Sequence, residues 1–71
     1  MYVIRVRNDY DPNAELLCDC GTWKQRADND IEVMAKSINH IREVHDGEGA
    51  IEFPRKFIVV TYSSITVLEK S

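Results

Sequence analysis

The chain has 71 residues, 44% apolar and 30% charged, which is the composition of one small globular domain and excludes a disordered segment. Nine Lys and Arg against twelve Asp and Glu leave a net charge of −3, poorly suited to general phosphate binding, where cationic contacts dominate affinity. No apolar run nears the roughly 18 residues that span a bilayer, so no membrane association is expected.

The first predicted element is a strand over residues 2–7, with Tyr2, Ile4 and Val6 on one face and Val3, Arg5 and Arg7 on the other. Its alternation of apolar and basic residues is unlike a signal peptide, and an intracellular protein with reduced thiols is expected. Asn8-Asp9-Tyr10-Asp11-Pro12-Asn13 is a dense cluster of turn formers. From Ala14 to Ala27 the pattern predicts a hairpin, with Leu16 to Cys20 on one arm, Gly21-Thr22 at the turn and Trp23 to Arg26 returning.

Asp28-Asn29-Asp30 then supplies helix-start chemistry. Asn29 followed by Glu32 forms an asparagine version of the capping box, and the acidic cluster suits the positive end of the helix dipole. The helix is predicted from about Asp30 to His45, with Ile31, Met34, Ala35, Ile38, Ile41 and His45 as its core stripe. Glu32 and Lys36 are spaced for an i, i+4 ion pair. Asp46-Gly47 ends the helix, Gly47 being free to adopt the left-handed cap conformation. Residues 50–69 are β-rich, either a hairpin turned at Ser63-Ser64 or one long strand, with Pro54 confined to an edge or a strand start. The expected order is β-β-β-α-β-β, an α+β fold with a single helix on a small, mainly antiparallel sheet.

A domain this small buries only about 60% of its unfolded surface, and apolar burial nearly cancels against chain ordering. Small domains often add a staple, and a metal or a partner subunit are the two candidates here. Both cysteines and both histidines fall into two tight pairs, Cys18/Cys20 and His40/His45, separated by the helix. Two thiols and two imidazoles complete one tetrahedral zinc shell. Alternation along an extended arm would aim Cys18 and Cys20 from one face. His40 and His45 lie about 140° apart on an ideal helix, so the last turn must loosen for them to meet. Without a metal, the cysteines read as small buried hydrophobes and the histidines as cations complementing the helix carboxyl end. A Cys-x-Cys disulfide with a redox role is a third reading.

The stretch Cys18-Asp-Cys-Gly-Thr-Trp, continuing through Ala27 and Ile31-Glu-Val to His40-Ile-Arg-Glu-Val-His45-Asp-Gly, resembles small Cys/His domains of unknown function described as predicted metal-binding proteins. It is similar, more loosely, to the hairpin-plus-helix core of two-Cys, two-His zinc fingers. The likeness covers residues 18–47 and implies Cys18, Cys20, His40 and His45 as metal ligands, and metal binding only.

No phosphate loop, nucleophile elbow or helical metalloprotease motif is present, and the chain is not expected to be an enzyme. The leading expectation is a zinc-stapled recognition module with a protein partner favoured over nucleic acid. Lys24, Arg26, Lys36 and Arg42 are the candidate contacts should nucleic acid be bound, and Trp23 is either packed on the helix or a binding anchor. The alternative is a metal-free interaction or inhibitor protein, of the kind phages direct at host machinery, that dimerises or captures a partner through the strand edge of residues 57–62.

Overall fold

A computed structural model describes residues 1–7 and 14–70 of the chain. The turn expected over residues 8–13 lies outside these described residues. Seven elements follow one another: β1 (Tyr2–Arg7), β2 (Ala14–Cys18), β3 (Lys24–Ala27), α1 (Asp30–Val44), β4 (Gly49–Glu52), β5 (Lys56–Val60) and β6 (Ile65–Glu69). The expected α+β class holds, with one helix on a six-stranded sheet ordered β3-β2-β1-β4-β5-β6. The carboxyl-terminal region differs from expectation: it makes three strands, not two. Phe53 N–H donates to the Lys56 carbonyl across the Pro54 turn, and Thr61 N–H donates to the Ser64 carbonyl across the Ser63-Ser64 turn.

All neighbouring strands pair antiparallel except β1 and β4, which are parallel, with Ile4 opposite Ile51. A parallel pair needs a long crossover, and here α1 supplies it by lying across the sheet between β3 and β4. The helix therefore covers one face only. Ile4, Leu16, Ile51, Phe53 and Val60 are fully buried beneath it or beside it. Arg5, Leu17, Lys24, Glu52 and Phe57 share a row on the opposite face, where Arg5 pairs with Glu52 at 3.4 Å.

Local chemistry starts α1 as expected. Asn29 Oδ1 accepts from Glu32 N–H at 2.9 Å, and Glu32 Oε1 accepts from Asp28 N–H at 2.9 Å. This commits the Glu32 carboxylate, so the Glu32–Lys36 pair does not form; Lys36 Nζ donates instead to the Arg26 carbonyl. The buried face of α1 keeps part of the expected stripe, with Ile41 buried and Met34 and Ile38 packed against the core, but is rotated from the rest of it. Val33, Ser37, His40 and Ile41 are buried, while Ile31 is 81% exposed and Ala35 faces solvent. The crossover fixes this rotation, because the face holding His40 and Ile41 must meet the sheet and Ser37 and Val33 lie one and two turns before them.

Among the described residues no helix is long and apolar enough to cross a membrane. Two substitutions test the packing with opposite signs. At Gly49 an added Cβ would sit 3.0 Å from Ile41 Cγ1 and 3.1 Å from the Tyr2 carbonyl oxygen, so Gly49→Ala should cost about 1–3 kcal/mol in denaturant unfolding. Ser37 Oγ is buried without a hydrogen-bond partner, so Ser37→Ala should stabilise by about 1 kcal/mol, raising Tm by about 4–8 °C.

Candidate metal centre

The site forms where the β2–β3 loop meets the carboxyl end of α1. Cys18 is the last residue of β2, and Gly21 N–H donates to its carbonyl at 3.1 Å, closing a turn that holds Cys20. Cys20 thus lies in the turn and not on an extended arm; the turn, rather than strand alternation, brings the two thiols to one place. Gly21 takes φ +89°, a conformation that favours glycine. Asp19 clamps the loop to β1. Its N–H donates to the Val3 carbonyl and its Oδ1 accepts from Val3 N–H, each at 3.0 Å.

His40 is buried in the last full turn of α1. His45 is the C-cap, with φ −115° and ψ 25°, and so has left helical geometry. Asp46 and Gly47 follow with φ 55° and φ 80°, and Gly47 N–H donates back to the Ile41 carbonyl at 3.0 Å. This unwinding is the loosening that a five-residue histidine spacing requires. It brings His45 Nε2 within 3.1 Å of His40 Nε2.

Each sulfur then meets one imidazole: Cys18 Sγ lies 3.4 Å from His45 Nε2, and Cys20 Sγ lies 3.6 Å from His40 Nε2. All four donor atoms fall within 4.8 Å of one another. Ideal Zn–S and Zn–N bonds of about 2.3 and 2.05 Å give tetrahedral edges of about 3.3 Å for N···N, 3.6 Å for S···N and 3.8 Å for S···S. The separations of 3.1, 3.4 and 3.6 Å match the ideal edges within a few tenths of an ångström, and the others fall within 4.8 Å. Cys18, Cys20, His40 and His45 can therefore hold a metal ion without refolding of either element.

Aromatic rings set the imidazole planes. Tyr2, at the start of β1, stacks on His45 with centroids 4.1 Å apart and planes 23° from parallel. Trp23 stacks on His40 at 4.4 Å and 15°. The two imidazoles meet edge to face, at 86°, which directs both Nε2 atoms inward while keeping the rings apart. Trp23 is thereby packed against the helix. Tyr2 escapes sequence reasoning, because only the β1–β2 register, with Ile4 opposite Cys18, puts the start of β1 beside the site.

Electrostatically the two thiols differ. Burial pushes the Cys18 thiol up to about 11, whereas the Thr22 backbone N–H holds the Cys20 thiol down to about 6, helped by His40. Over most of the range between these values the metal-free pair shares one proton, carried by Cys18.

The candidate nucleic-acid contacts do not gather into one surface. Lys24 and Arg26 are opposite Leu17 and Glu15 on the face away from α1, and Lys24 bridges Glu15 at 3.3 Å. Lys36 and Arg42 lie on the helix. The Cys/His cluster thus supports the metal-binding element of the resemblance, although comparison with protein-family models, curated proteins and solved structures gives no match for this chain.

A metal ion held by both thiolates would displace the shared proton. At pH 7.5 the cysteines should release about one proton per ion, measurable by calorimetric titration in buffers of different ionisation enthalpy. Apparent affinity should rise about tenfold per pH unit above pH 6.5, and fall more steeply below pH 6 as Cys20 also protonates. A loading step with no proton release at pH 7.5 contradicts this assignment.

Proposed function

We propose that the chain is a recognition module stapled by a structural zinc ion on Cys18, Cys20, His40 and His45. The observation that carries this reading is the convergence of four donors, from a loop and a helix end, within 4.8 Å of one another, three of their separations at tetrahedral edge distances. Borderline-soft zinc suits a set of two thiolates and two imidazoles, and four protein ligands leave no open position for a substrate. The ion's role is then mechanical. It ties the β2–β3 loop to the α1 cap, two segments 20 or more residues apart, and its binding energy contributes directly to folding.

The binding surface in this reading is the rim of the staple. A cleft of about 380 Å³ opens beside His40, with Trp23 and Lys36 on its walls and Asn39, Glu43 and Val44 along the helix. Partly buried Trp23, stacked on His40, leaves one margin on this cleft beside apolar Val44 and flanking polar groups, a mixed rim of the kind that protein partners cover. The excess of acidic residues, and the division of cations between two faces, favour a protein partner over nucleic acid.

Native mass spectrometry of the chain expressed with zinc tests the staple. One zinc per chain is expected, lost on adding a chelator. With free zinc a thousandfold above Kd, the ion adds about 4 kcal/mol, equivalent to about 15–30 °C in Tm. Cys18→Ser should abolish that increment. A metal-free mass, with a melting temperature indifferent to both zinc and chelator, rules the reading out.

A further inference from the structure

The two edges of the sheet are built differently. β3 exposes Lys24, Gln25 and Arg26, the charged kind of edge that resists pairing with another strand. β6 has no such protection. Ile65, Thr66, Val67 and Leu68 carry no charge, and Ile65 and Val67 are 49% and 53% exposed. The segment 57–62 expected to present a free edge does not: Lys56–Val60 is paired to β4 on one side and to β6 on the other. The open edge has moved one strand outward.

Hydrogen bonding identifies which backbone groups of β6 are free. Ser64 accepts from Thr61 and Lys70 donates to Arg55, so the even-numbered residues turn their N–H and C=O toward β5. Ile65, Val67 and Glu69 turn theirs outward, since backbone direction alternates along a strand. The side chains of Ile65 and Val67 stand on the face shared with Val60 and Ile58, both buried. An apolar strip thus runs along that face to the sheet edge and stops there.

We propose that β6 pairs antiparallel with β6 of a second copy about a two-fold axis through Thr66, giving a continuous twelve-stranded sheet. Side-chain faces match only if paired residues have the same parity, so the axis passes through a residue. Placed at Thr66, it sets Ile65 against Val67 of the second copy twice over, doubling the apolar strip and joining the outward backbone groups of both pairs. Leu68 and Glu69 then face Ser64 and Ser63. An axis at Val67 would instead oppose Ile65 to Glu69. A second copy is favoured over a foreign strand because the edge is self-complementary about Thr66 and its one charge, Glu69, would lie opposite Ser63 of the copy and not a like charge. One short strand per copy buries less than the roughly 1,200 Å² of a stable interface, so association is concentration-dependent, with Kd on the order of 1–100 μM.

Sedimentation analysis of the full chain from about 5 to 500 μM should show the mass passing from monomer to dimer across that range. Val67→Lys places a charge on the edge and should weaken the dimer at least tenfold, with circular dichroism and melting unchanged because the position is exposed. Thr66 opposite itself is a non-hydrogen-bonded pair, with Cα atoms about 4.5 Å apart, within disulfide reach. Thr66→Cys should therefore cross-link chain to chain on mild oxidation, with peptide mapping placing the bridge at residue 66. A monomer at every concentration overturns the proposal. So does a dimer that survives Val67→Lys, or one whose Thr66→Cys variant does not link through residue 66.

Discussion

The unwinding of α1 at His45 is the constraint on which the site depends. On a regular helix, residues 40 and 45 point about 140° apart, and no single ion could take both. Leaving helical geometry at the C-cap swings the second imidazole back toward the first, and positive φ at Asp46 and Gly47 reverses the chain into β4. The same reversal brings Gly49 against Ile41 and the backbone of Tyr2, so closely that a side chain there would have to push its neighbours aside. Site geometry and sheet pairing are thus two results of one turn. Altering how the helix ends would disturb both.

The loop side is held with comparable economy. Asp19 sits between the two cysteines and makes a reciprocal pair of hydrogen bonds with Val3, so the sulfurs are positioned from a central strand of the sheet. Stacked Tyr2 and Trp23 orient the imidazoles in place of the hydrogen-bonding carboxylates that often fix metal-binding histidines. Stacking constrains the plane of each ring and leaves its polar edge free. That suits a half-buried site at a domain margin, where an added carboxylate would bring further negative charge beside two thiols.

Much of this was legible in the sequence because it is local. The Asn29–Glu32 cap, the hairpin around Gly21, the helix stop at Asp46-Gly47 and the matched cysteine and histidine pairs depend on residues within a few positions of each other. What was illegible depends on distant pairing. Ile31 fits a helical stripe by spacing alone, yet the crossover from β3 to β4 fixes which side of α1 meets the sheet and leaves Ile31 outside. Ser37 is buried for the same reason, at the expense of an unpaired hydroxyl. The parallel β1–β4 pair follows from where the helix returns the chain, and no periodicity records that. β6 was readable as strand but not as edge, since edge status belongs to the sheet as a whole.

This asymmetry between local and global information bears on how the domain is stabilised. The helix rests on the β3-β2 side and ends at the Cys/His cluster, whereas β5 and β6 extend past it with progressively less cover: Ile58 and Val60 are buried, Ile65 and Val67 half exposed. A sheet grown outward from a single helix must meet this thinning, because one helix about 10 Å wide cannot shield strands spaced about 4.8 Å apart across six positions. The β3 side meets it with cations and a staple-ready loop. On the β6 side the chain supplies apolar residues and open hydrogen-bonding groups, which continuation of the sheet would satisfy. Under the two proposals made above, the ends solve the same problem of a small core in different ways, one by cross-linking within the chain and the other by extension beyond it.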